Sequence, residues 1–133
     1  MTNTLCRVYV HLVWATHLRT PWLHDSVGPQ VYAYMAERCR LLDCTPLAVG
    51  GAADHVHLLV ALSPRVAVAS LVAKVKAPTT DFAQRRCGVE DFSWQTGYGA
   101  FSVGYDAVEA VVSYIQQQQV HHAQGSLRAE WEP

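Results

Sequence analysis

Two stretches of this chain place apolar residues at every second position, and that alternation restricts the fold more than any other feature. From Leu5 to Thr16, the residues Cys6, Val8, Val10, Leu12 and Trp14 fall on one side, and Arg7, Tyr9 and His11 on the other. From His55 to Leu62, the residues Val56, Leu58, Val60 and Leu62 share one side, while His55 and His57 point the opposite way. Side chains alternate across a strand, so each stretch reads as a strand with one face on a core. The same register puts the two histidines on the face turned away from that core.

The segments between fill in a β-α-β-β-α-β-α order. Pro21 ends the first strand, and a helix is expected from about Ser26 to Leu42, with Val31, Tyr34, Met35, Arg38 and Leu42 at helical spacing. Thr45–Val49 reads as a short strand, with Gly50-Gly51 as the tight turn into the next. After Pro64, a helix from Val66 to Val75 is expected to kink or restart at Pro78, with Thr79 or Thr80 capping a continuation to Arg86. The stretch from Cys87 to Tyr98 reads as loop and Ala100–Val103 as a fourth strand. Asp106 and Glu109 resemble a capping box for a last helix running to about His122, and Gly125 to Pro133 reads as a loosely ordered tail. The first six elements match the ferredoxin-like split β-α-β pattern, an α+β antiparallel sheet with helices on one face. No repeat and no domain boundary is visible, so residues 1–133 are read as one domain.

Composition narrows the class. Half of the 133 residues are hydrophobic, which excludes a disordered chain. No apolar run reaches the ~18 residues that span a bilayer, and Met1–Cys6 lacks a secretory pattern, so a cytoplasmic protein without a membrane partner is expected. Cys6, Cys39, Cys44 and Cys87 form no C-x-x-C pair, which argues against a zinc ribbon. Ten Lys+Arg stand against eleven Asp+Glu, a formal net charge of −1, so any nucleic-acid contact must rest on a local patch.

Three local signals carry chemistry. In Asp54-His55-Val56-His57, the histidines are two apart on a strand, with Cα atoms ~6.6 Å apart on one face, so both imidazoles can address one cation. Asp54 can orient one of them by taking its second N–H. A pair of surface histidines would look the same. On the last helix Tyr114 and Gln118 are four apart and share a face beside the stripe Val108, Val111, Val112 and Ile115. Tyr114 there reads equally as a boundary core residue. The segment from Trp94 to Val103 contributes Gly97, Gly99 and several aromatics, which suit close packing or base stacking.

These signals, in this order, resemble the single-tyrosine HUH transposases (TnpA-like) of the smallest bacterial insertion sequences. The resemblance starts at Tyr9-Val10-His11-Leu12-Val13-Trp14-Ala15-Thr16 and runs through Asp54 to Val60 and Trp94 to Val103. It ends at Tyr114-Ile115-x-x-Gln118-x-x-His121-His122. It implies that His55, His57 and Gln118 hold Mg²⁺ or Mn²⁺ and that Tyr114 is the nucleophile. It also implies single-stranded DNA with hairpins at element ends as the substrate, cut and rejoined through a 5′-phosphotyrosine. The usual Lys-Gly-x-Ser-Ser segment stands here as Lys76-Ala77-Pro78-Thr79-Thr80, and His17 replaces a basic residue. Arg7, Lys74, Lys76, Arg85 and Arg86 are the candidate phosphate contacts. The resemblance further implies a homodimer with shared active sites, for which Gly104, between the fourth strand and the last helix, would be the joint. Two other readings stay open: a domesticated or inactive relative that binds hairpins without cutting, and an unrelated metal-dependent phosphoesterase with a structural Tyr114.

Overall fold

The computed structural model describes residues 4–118. The strands are β1 (Tyr9–Ala15), β2 (Thr45–Ala52), β3 (His55–Ala61) and β4 (Gly99–Val103); the helices are α1 (Val27–Leu41), α2 (Val68–Arg85) and α3 (Val108–Gln116). Every strand pair is antiparallel and the sheet order is β2-β3-β1-β4, the order of a ferredoxin-like α+β fold.

One face of the sheet is the main core. Val10, Leu12 and Trp14 of β1 and Val56, Leu58 and Val60 of β3 are buried against Val31, Met35 and Cys39 of α1 and Leu71, Val72, Val75 and Ala83 of α2. The other face is covered by α3, the helix that follows the six elements of the ferredoxin-like pattern. Val111, Tyr114 and Ile115 of α3 form a second buried cluster there with Ala48 and Leu59. Burying each large aliphatic side chain contributes roughly 1.5–3 kcal/mol, so this second core holds α3 on its own chain's sheet.

Five expectations about individual elements are corrected. β1 begins at Tyr9 rather than Leu5, because Tyr9 already faces the last residues of both neighbours, Ala61 and Val103. Gly50-Gly51 is not the turn. Both residues lie inside β2, opposite His57 and Val56, and the chain reverses at Ala53-Asp54. A Cβ at Gly50 would lie 2.8 Å from the Ile115 carbonyl oxygen, and one at Gly51 would collide with the His55 carbonyl, so close approach is what excludes side chains here.

Pro78 does not break α2, which is continuous. The buried stripe Leu71, Val75, Thr79 and Ala83 runs unbroken past it, while exposed Lys74, whose carbonyl loses its partner N–H, faces water. Thr79 and Thr80 do not cap a restart; their hydroxyls donate back to the carbonyls of Val75 (2.6 Å) and Lys76 (3.1 Å). Asp106 is not the N-cap of α3. A 3-10 turn, Tyr105–Ala107, intervenes, and Ala107 occupies the cap position without a side-chain bond. The expected extension of α3 to His122, beyond Gln118, and the tail from Gly125 lie outside the described residues.

Candidate active site

The site forms where β3 begins. Val56 points into the main core, so His55 and His57 point to the α3 side. Their cross-strand neighbours on that face are small or β-branched: Ala15 and Ala52 oppose His55, and Val13 and Gly50 oppose His57. That leaves room for two imidazoles under a helix. Gly50 also lets the α3 backbone approach, and this brings Tyr114 over the histidines. The rings of His55 and His57 lie 5.1 Å apart, and those of His57 and Tyr114 5.7 Å apart at 80°, edge to face.

All four proposed reacting side chains are closed off. His55 and His57 are 0% exposed, Gln118 1% and Tyr114 4%. The histidines face away from the main core, as their register indicates, and α3 gives that face a core of its own. Beside Gln118 a cleft of about 720 Å³ opens between α1, β2 and α3, with Tyr32, Gly50 and Ile115 in its walls.

The histidines have different partners. Nδ1 of His55 is 2.8 Å from Oδ1 of Asp54, and the other carboxylate oxygen accepts from Nε of Arg19 at 3.0 Å. Burial alone would push the Asp54 carboxyl up, but the hydrogen bonds from His55 and Arg19, together with their charges, outweigh it and hold it below the usual carboxylate range. As an anion Asp54 can only accept, so His55 donates its Nδ1 proton to it, and a neutral His55 therefore has its lone pair on Nε2. Thr16 holds the turn in place, its N–H and hydroxyl both donating to the Asp54 carbonyl at 2.9 and 3.1 Å. His57 is served differently: its Nδ1 is 2.8 Å from Nε2 of His11.

His11 and Arg19 are the site residues that sequence reasoning missed. The alternation that put His11 on the histidine face was visible, but the contact depends on the β1–β3 register, in which His11 opposes Leu59 and His57 opposes Val13. Arg19 reaches Asp54 from a turn with positive φ at Leu18 and Arg19, for which the sequence carries no local signal.

Among the described residues, no group of three or more His, Cys, Asp and Glu side chains is arranged to hold a metal. The set singled out from the sequence is two imidazoles and one amide, and its donor chemistry suits a divalent cation of the magnesium–manganese kind only when phosphate and water oxygens complete the shell. The Asp54–His55 pair is the outer-shell arrangement that metal-bound histidines use.

The basic candidates have different settings. Arg7 lies over the Tyr105 ring, 5.1 Å from its centre, while Arg85 pairs with Asp81 at 2.8 Å on α2. Lys74 and Arg86 are exposed. The Lys76 ammonium donates to the carbonyls of Gln95 (2.9 Å) and Gly97 (3.0 Å), and burial lowers its pKa. Trp94 donates its indole N–H to the Lys76 carbonyl at 3.2 Å, and Gln95 N–H donates to the Ala15 carbonyl at 2.9 Å. The Trp94–Gly97 segment is therefore pinned between α2 and the end of β1, beside the histidines.

Among the described residues no helix is long and apolar enough to cross a membrane. No curated protein matches the chain. Solved structures share its fold, among them two described as transposases. A candidate transposase from Deinococcus radiodurans R1 is 20% identical, with a TM-score of 0.69 over 89% of this chain and 95% of that one. A REP-associated tyrosine transposase bound to a REP hairpin is 15% identical, with a TM-score of 0.67 over 92% of this chain and 72% of that one. The family model for IS200-like transposases matches residues 4–118, from before β1 to Gln118. The chain belongs to the IS200-like transposase family.

Proposed function

We propose that this protein cleaves and rejoins single-stranded DNA at hairpin-bearing element ends, with Tyr114 as nucleophile and His55, His57 and Gln118 holding Mg²⁺ or Mn²⁺. The observation that carries the reading is the contact of the Tyr114 ring with His57, beside a His55 oriented by Asp54. When bound, the cation supplies Lewis-acid stabilisation of charge on the scissile phosphate. Asp54 and Arg19 hold His55 in one orientation and one tautomer. The Tyr114 oxygen attacks phosphorus as its proton leaves, the P–O3′ bond breaks, and the departing 3′ oxygen takes a proton. The 5′ phosphate stays esterified to Tyr114, so attack by a 3′-OH reverses the step and rejoins DNA without ATP.

The burial of these four side chains fits the expected shared-site homodimer, in which α3 moves. An α3 that leaves its own sheet about Gly104 would uncover His55 and His57 and carry Tyr114 to a second copy. Co-expression of His57→Ala and Tyr114→Phe chains tests both ideas. A mixed dimer that cuts labelled single strands and carries the adduct on the His57→Ala chain supports sharing; a folded, DNA-binding mixed dimer that stays dead rejects it. A wild-type protein that binds hairpins and forms no covalent adduct would rule out the cutting activity.

A further inference from the structure

His11 is a buried polar side chain on the α3 side of β1. It is 1% exposed, opposes Leu59 on β3 and Phe101 on β4, and its ring centre is 6.1 Å from that of Phe101. Burying an imidazole there is costly unless it is hydrogen-bonded, and its partner is His57 at 2.8 Å. The rings sit 5.0 Å apart and tilt by 30°. Two neutral imidazoles joined in this way must be one donor and one acceptor. His55 has its tautomer decided by a carboxylate that can only accept, whereas His57 faces a group able to play either part.

We propose that His11 is a positioning residue: its Nε2 accepts the Nδ1 proton of His57 and so leaves Nε2 of His57 as the nitrogen with the lone pair. The two proposed ligands then present the same tautomer through different partners, an anion behind His55 and a neutral ring behind His57. The direction of this bond rests on the metal-ligand role given to His57 above. The role of His11 is to hold one ring and one tautomer without placing a second negative charge in a closed site.

The test is made first on the metal-free, ¹⁵N-labelled protein by long-range ¹H–¹⁵N correlation, which needs neither DNA nor activity. His57 is expected in a single tautomer with its proton on Nδ1; a proton on Nε2 of His57 overturns the proposal. In His11→Phe, the acceptor is gone while a ring of similar size remains. His57 is expected to mix tautomers, and Mn²⁺ affinity by titration calorimetry to fall about 10–100-fold. His11→Gln, whose amide oxygen can accept the same proton, should restore the tautomer and most of the Mn²⁺ affinity. A folded His11→Phe with wild-type tautomer and affinity overturns the proposal, as does a folded His11→Gln with mixed tautomers, which decides the matter if His11→Phe does not fold. A wild-type protein that binds no Mn²⁺ and forms no DNA adduct would instead overturn the function proposed above, and the tautomer measurement would still read the His11–His57 bond separately.

Discussion

The rings of His57 and Tyr114 meet edge to face at 5.7 Å within a single chain, under a helix that packs on its own sheet. The site is therefore also part of a core, and changes to it have consequences for stability as well as chemistry.

His57→Ala is expected to destabilise the fold by roughly 1–3 kcal/mol, because it empties a fully buried position between β3 and α3. Urea unfolding measures this. An unchanged midpoint would mean that α3 does not cover His57 in solution.

Tyr114→Phe removes one oxygen and keeps the ring against His57. Stability should change by about 1.5 kcal/mol or less, hairpin binding should persist, and the covalent adduct on denaturing gels should vanish. An adduct that persists and maps to Tyr9, Tyr98 or Tyr105 would move the nucleophile elsewhere.

Gly50→Ala places a methyl group 2.8 Å from the Ile115 carbonyl oxygen. Backbone must give way, so a loss of about 1–3 kcal/mol is expected, with faster amide exchange along α3 than along α1. Equal protection of the two helices would show that α3 does not approach β2 this closely.

Lys76→Met removes two hydrogen bonds from the Gln95 and Gly97 carbonyls. Amide exchange at residues 95–99 should accelerate. If Lys76 also meets phosphate, the log–log salt dependence of hairpin binding flattens by about one unit; an unchanged slope confines its role to pinning the segment.

Tyr32 gives the pH dependence. Burial pushes its hydroxyl up from the usual 10.0 to about 12, and among the described residues its oxygen has no hydrogen-bond partner. The folded pKa lies above the unfolded one, so the unfolded chain ionises first and stability falls as pH rises from about 10 to 12. Cys39, raised by burial from 9.0 to about 12, adds to the same alkaline loss. Tyr32→Phe should be neutral or stabilising at pH 7 and should flatten the slope above pH 10; chemical denaturation across that range checks it.

Period-two alternation made β1 and β3 legible from the sequence alone, and it put His55 and His57 on one face because a strand has only two sides. The element order was enough for the ferredoxin-like arrangement. The partners on each face were decided by tertiary structure. The stripe Val111, Val112 and Ile115 marks α3 as amphipathic, but a sheet offers two faces and a stripe does not say which one it covers. Gly50-Gly51 looks like a turn because glycine permits one; the close approach of Ile115 and of the His55 carbonyl is a contact between distant segments that leaves no local pattern. The breaking power of Pro78 is intrinsic and readable, but it was outweighed by a buried stripe continuing on both sides of it. The His11–His57 bond depends on how β1 slides against β3, a register set by both cores at once, so no inspection of either strand by itself could have found it.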